Sequence, residues 1–179
     1  VTQALLGHIG QLPLARSFGL TPRGDFGLGL TNDETAAELA RLGFASATAS
    51  FESRLAQIRD LSKPLDLELL VYGRLPLMLM EHCILRNRGQ GCHCQDKPQS
   101  LGDRKGEHFP VEPAWGCRNE LFNAKPLWLA DKTDWRTAGA AYARLAFLRE
   151  GPGECARVFR AYREGAGEPP RAFTRGLYY

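Results

Sequence analysis

Four thiols stand out as residues able to do chemistry together. Cys83, Cys92, Cys94 and Cys117 are separated by eight, one and twenty-two residues, and the fifth cysteine, Cys155, lies far downstream. Three of the five crowd between positions 83 and 94, unlike the spread, paired cysteines of a secreted disulfide scaffold, which reads as a metal site in a reducing compartment. Four thiolates around one centre suit tetrahedral zinc or an iron–sulfur cluster. The Cys92-x-Cys94 spacing departs from the Cys-x-x-Cys of zinc knuckles and moves weight toward a cluster.

Polar residues flank this set. Glu81 and His82 precede Cys83 after an apolar run; they are candidates for acid–base work, or simply the end of a strand. A direct His82–Cys83 thiol–imidazole pair is disfavoured, because such pairs are adjacent in space rather than in sequence. Arg74 is a third catalytic candidate, and Arg74 and Arg175 carry guanidinium forks suited to bidentate contact with phosphate or carboxylate, or to surface solvation. His8 and Asp25, near strand ends, are plausible pocket liners. Trp115, Trp128 and Trp135 have two readings, base stacking or packing in the core. No Gly-x-Ser-x-Gly elbow and no His-Glu-x-x-His helix occurs.

Composition sets the bounds. The chain is 44% hydrophobic and 24% charged, ordinary for a soluble domain, and 179 residues build one core more readily than two. A net charge of +3 is too small a field to dictate a partner. Between positions 81 and 125, seven Lys and Arg face six Asp and Glu, so no electropositive stripe marks an RNA channel. No run approaches the length of a transmembrane helix, and residues 1–20 lack the pattern of a signal peptide, so no membrane partner and a cytoplasmic location are expected.

The elements that must position these residues alternate. Ala4–Ile9, Asp25–Leu30, Ala45–Ala49 and Leu67–Tyr72 read as strands. Between them lie helical stretches: one with Leu12, Ala15 and Phe18 on a side, one opened by a Thr31/Glu34 capping box, and one capped by Ser50. The second helix is expected to bury Ala36, Leu39 and Ala40, and the third to place Phe51, Leu55 and Ile58 on one side. Such alternation predicts an α/β fold with a parallel sheet or barrel. Residues 73–135 break the rhythm as a cysteine-rich insertion within a single domain spanning 1–179. The rhythm resumes with a strand over Ala143–Leu148 and a helix after Pro152, in which Cys155, Val158, Phe159 and Tyr162 share an apolar face and Cys155 is a buried structural thiol.

Several motifs in order resemble peptidase family U thirty-two, the collagenase-like proteases. They are Leu6-Gly7-His8-Ile9-Gly10-Gln11, Gly24-Asp25-Phe26-Gly27, the strand ending Val71-Tyr72-Gly73-Arg74-Leu75-Pro76, and Phe173-Thr174-Arg175-Gly176. Against the family's Glu-x-Phe-x-x-Gly signature leading to two cysteines, Glu68 and Gly73 fit. Leu70 stands for the Phe, Pro76 replaces the first cysteine, and Cys83 fits the second. The resemblance implies a triosephosphate-isomerase-like barrel represented by its later strands only, an open sheet lacking the N-terminal barrel strands as its partner. It also implies metal ligation by Cys83 and Cys117, with Cys92 and Cys94 completing the set. Understood relatives are iron–sulfur hydroxylases of RNA bases or quinone precursors, whereas the family name records collagenase-type proteolysis. Three functions are therefore carried forward: part of an iron–sulfur hydroxylase acting on RNA or a small anionic or aromatic substrate, a protease, and a non-catalytic metal-stabilised module.

Overall fold

Short apolar runs separated by about twenty residues become strands because each can bury both faces only beside a neighbour. The computed structural model describes residues 1–84, 86 and 98–178. In its first part β1 (Gln3–Leu6), α1 (Leu12–Ser17), β2 (Thr21–Gly24), α2 (Asp33–Arg41), β3 (Ser46–Thr48), α3 (Leu55–Asp60) and β4 (Asp66–Gly73) follow one another. Four antiparallel strands come next: β5 (Pro76–Met80), β6 (Gln99–Gly102), β7 (His108–Ala114) and β8 (Arg118–Phe122). Then β9 (Leu127–Trp128), β10 (Tyr142–Ala146) and α4 (Pro152–Glu164) return to the main body.

The result is a mixed α/β protein with two sheets. The larger is parallel in the order β1-β2-β3-β4-β10, with β9 antiparallel to the end of β4; the smaller is antiparallel in the order β5-β8-β7-β6. Tyr72 pairs with Leu145 of β10 on one side and Trp128 of β9 on the other, so β9 takes the edge of β4 that β3 has vacated. No closed barrel forms among the described residues; β1 and β10 stand at open edges. β4 is the keel, with Leu69 to Gly73 all buried. Gly73 is required there: at φ 129°, a Cβ would lie 2.2 Å from the Ala146 carbonyl oxygen.

Several local expectations change. Asp25–Leu30 is not a strand: Asp25 Oδ1 accepts the Phe26 N–H (2.8 Å) and starts a single 3-10 turn closed by Gly29 in the left-handed region. A side chain that bonds its neighbour's backbone offers an alternative to the ladder, and here the turn wins. α2 is capped by Asn32, whose Oδ1 accepts the Thr35 N–H at 2.9 Å, rather than by Thr31; the helix fully buries Ala36 and Leu39 and leaves Ala40 partly covered. α3 begins after Arg54, because Ser50 to Ser53 first make a turn of their own. Phe18 and Phe159, expected inside, are 72% and 56% exposed. Cys155 is only partly buried, its thiol donating to the Glu150 carbonyl at 3.6 Å in the first turn of α4. The apolar face of that helix is Val158, Ala161 and Tyr162. No helix among the described residues is long and apolar enough to cross a membrane.

Candidate functional site

Register places alternate side chains of the parallel sheet on one face: Arg23 beside Ser46, Thr48 beside Glu68, Glu68 beside Tyr142, and Leu70 beside Arg144. This face is polar. Arg144 Nη1 meets Asp25 Oδ1 at 2.5 Å, its Nη2 pairs with Glu68 Oε1, and Nη2 donates to Thr48 Oγ1 at 2.8 Å. The Thr48 hydroxyl has both the Gly24 carbonyl and Glu68 Oε1 within 3.0 Å for its single proton. Arg23 lies over the Tyr142 ring (4.4 Å), and the Tyr142 hydroxyl donates to Asp66 (3.2 Å). β2 and β10 are three strand spacings apart, roughly 14 Å in a flat sheet. Contact between their side chains therefore requires the sheet to curl, with the polar residues on its concave side. The Arg144 and Glu68 side chains are 18% and 12% exposed, so loss of either partner strands a charge in a poorly solvated position.

Arg144 and Thr48 were not singled out from the sequence. The signal was present in Arg144, a lone charge between Ala143 and Leu145 in an apolar run. Asp25, read as a pocket liner, joins the network. His8 instead caps a 3-10 turn, its Nδ1 accepting the Gly10 N–H at 3.0 Å.

Cys83 and Cys117 belong to the smaller sheet rather than to the ends of the parallel strands. Cys83 follows β5 and is buried, and its Sγ accepts the Arg86 N–H at 3.4 Å. Cys117 sits in the tight β7–β8 turn, exposed, with φ 61°, the one left-handed non-glycine among the described residues. Such a conformation persists only where the surroundings impose it. One buried side chain ties the two loops together. Asn119, 1% exposed and two residues past Cys117, accepts the N–H of Ile84, the residue after Cys83, at 2.8 Å, and donates to the Arg118 carbonyl. Glu81 and Arg118 add an exposed ion pair at 2.7 Å across the same end. Gln99 is the first residue of β6 and faces Val111, and β7 runs from Val111 to the Cys117 turn. The chain leaves β5 at the cysteine end of the sheet, and β6 begins opposite the middle of β7. Cys92 and Cys94 lie outside the described residues. Among those described, no three His, Cys, Asp or Glu side chains cluster as a metal site.

The remaining candidates are placed as follows. His82 is exposed while its neighbour Cys83 is buried, so the two side chains occupy different environments. Arg74 Nη1 donates to the Asn123 carbonyl (2.9 Å) and to that of Ala124, fastening the base of the smaller sheet. It also lines a cleft of about 530 Å³ with Tyr72, His108, Arg149, Glu150 and Arg171. Arg149, between β10 and α4, makes a second clamp, through Glu112 (2.5 Å) and the Gln99 carbonyl (2.7 Å). Burial works to raise the Glu150 carboxyl, but donors from Leu148, Tyr72 and Arg149 outweigh it and hold the group below its ordinary range. Arg175 forms a bidentate pair with Asp131 (2.5 and 2.7 Å) and donates to the Trp128 carbonyl, pinning the C-terminal segment to β9. That pairing holds the Asp131 carboxyl below its usual value. Trp128 and Trp135 are core residues packed on Tyr162, and Trp115 is 87% exposed beside Cys117. Comparison with family models, curated proteins and solved structures gives no match to this chain.

Proposed function

We propose that the chain is the later arc of a β/α-barrel enzyme like those of the collagenase-like peptidase family, and that Cys83, Cys92, Cys94 and Cys117 hold an iron–sulfur cluster beside its mouth. The observation that carries the reading is the buried Asn119, which holds the Cys83 and Cys117 loops to one end of the smaller sheet. The donor set fits. Cys83 Sγ accepts the Arg86 N–H, as a ligand sulfur commonly does, and Cys117 is exposed at a turn tip. When bound, the cluster would supply electron transfer for hydroxylation of an RNA base or a small aromatic substrate. The chain's own residues would do the rest: Asn119 fixes loop spacing, and Arg74 with Arg171 offers cationic lining for an anionic group. Dependence on reduced thiols agrees with a cytoplasmic site of action. The curled sheet, polar inside and open at β1 and β10, supports the barrel-arc reading, with further β/α units as its partner.

The protease reading is weaker. Its nearest nucleophile–base pair, Cys83 with His82, is split between a buried and an exposed side chain.

Protein purified without oxygen tests the proposal directly. It should be brown, contain iron and sulfide, and bleach on exposure to air. Cys83→Ala and Cys117→Ala should each lose most of the metal, while Cys155→Ala should retain it. A colourless preparation with stoichiometric zinc would overturn the cluster and favour a structural module.

A further inference from the structure

A groove of about 420 Å³ lies between the smaller sheet and the loops that follow β2 and β3. Those loops leave the C-terminal ends of two parallel strands, where open α/β sheets and barrels build their ligand sites. The β2 loop contributes Phe26, and the β3 loop contributes Phe51 and Glu52. The facing wall includes Leu77 and Leu79 of β5 and Glu120 of β8. Glu120 stands opposite Leu79 across the β5–β8 ladder, so the two side chains share a face of the sheet. A volume of this size falls among small-molecule sites.

The lining combines aromatic and apolar surface with charge of one sign. Phe26 and Phe51 pack with ring centroids 5.2 Å apart, and an aromatic face attracts a cation as well as covering hydrocarbon. The charged residues of the lining are Glu52 and Glu120, with no Lys or Arg. Neither carboxylate has a cationic partner among the described residues. Glu120 is only partly exposed, and its removal from water raises its pKa. A carboxylate so placed gains from a cation that settles beside it. An anionic ligand, a nucleic-acid phosphate included, would meet two like charges. A metal ion would find too few ligands, since no three His, Cys, Asp or Glu side chains gather among the described residues, and hard cations take six or more oxygens.

We propose that this groove binds a small organic cation, an amine with an aromatic body. Its ammonium group is held by the carboxylates of Glu120 and Glu52. Its ring packs between the Phe26–Phe51 pair and the side chains of Leu77 and Leu79, which are otherwise exposed. Two features select this occupant: a lining whose charge is wholly negative, and aromatic and apolar walls that a hydrated inorganic ion leaves unused. The inference does not rest on the metal centre, because no cysteine among the described residues lines the groove.

Isothermal titration calorimetry of the full chain with phenethylamine and with benzyltrimethylammonium tests it. Saturable binding of these cations should be seen, weakened by salt. Phenethyl alcohol, which keeps the ring and loses the charge, should bind roughly tenfold more weakly, and phenylacetate should not bind. Glu120→Gln, checked for folding by its thermal transition, should weaken the amine roughly tenfold and leave the alcohol unchanged, as expected for loss of a charge-assisted contact. Absence of saturable binding by both cations, equal affinity for amine and alcohol, or an amine indifferent to Glu120→Gln would overturn the proposal. So would a capped lysine peptide that binds more tightly than the amine and displaces it, since the occupant would then be a side chain of another protein.

Discussion

Glu120 shows how one residue's surroundings outweigh its type. Its carboxyl is partly removed from water without a compensating cation among the described residues, and this desolvation raises its pKa. A group whose folded pKa is raised favours the native state below its unfolded pKa and loses that contribution as pH rises through the folded value. Glu120→Gln, which cannot ionise, should therefore be slightly more stable than the parent at pH 7. The expected rise in Tm is about 1–2 °C, small because solvent screens a half-exposed group, and it should vanish below the carboxylate range. Thermal unfolding across pH checks both sign and window; a rise that persists at acid pH would point to packing instead. Asn119 is the opposite case. Its sequence neighbourhood looks like any polar strand, and only burial and the bond to Ile84 reveal that it spaces the two cysteine loops.

At the scale of elements, α4 is held to the parallel sheet by a single hydroxyl as well as by area. The Tyr162 hydroxyl donates to the Val71 carbonyl at 2.5 Å and accepts the Leu129 N–H at 2.7 Å. It thus links helix, keel strand and the segment after β9, and burial raises its own pKa. Tyr162→Phe would leave a buried carbonyl and a buried N–H without their partner at nearly constant volume. A loss of about 2–3 kcal/mol in urea unfolding is expected, with metal content unchanged. The helix was legible in sequence from Pro152 and the spacing of Val158 and Tyr162. The choice between Phe159 and Ala161 for the buried face was not, because it depends on where the sheet lies relative to the helix. The smaller sheet was read only as an insertion. Its strands carry prolines and charges and show no clean alternation, since β5 and β6 are edges and neither sheet face is deeply covered.

At the scale of the molecule, two open parallel edges dominate. Leu5 on β1 is 51% exposed, and beside β10 a cleft of about 430 Å³ is lined by Trp135, Tyr142, Leu145 and Phe159. Parallel strands are ordinarily covered on both sides, so these edges call for neighbours. The 179-residue chain alone should self-associate and unfold over a broad range of temperature. Co-expression with a polypeptide supplying further parallel β/α units should give a monodisperse complex with one sharp transition. A chain that is monomeric and sharply cooperative by itself would count against the barrel-arc reading.

What the sequence determined was the alternation of elements and the grouping of the thiols, because hydrophobic period, caps and cysteine spacing are local properties of the chain. The core strand Asp66–Gly73 and the helices at Asp33–Arg41 and Pro152–Glu164 follow from them. Tertiary structure decided what distant segments do to one another. It joined Thr48, Glu68 and Arg144 from three strands with Asp25 from the turn after β2 on one concave face, a consequence of register and curl. It turned Arg175 onto Asp131 and Arg74 onto backbone carbonyls, although both had the type and setting of ligand-binding residues. It also brought Cys83 and Cys117 to one end of a second sheet. A guanidinium or a thiol carries its chemistry in its own atoms, but its partner is whichever group the fold brings within about 3 Å.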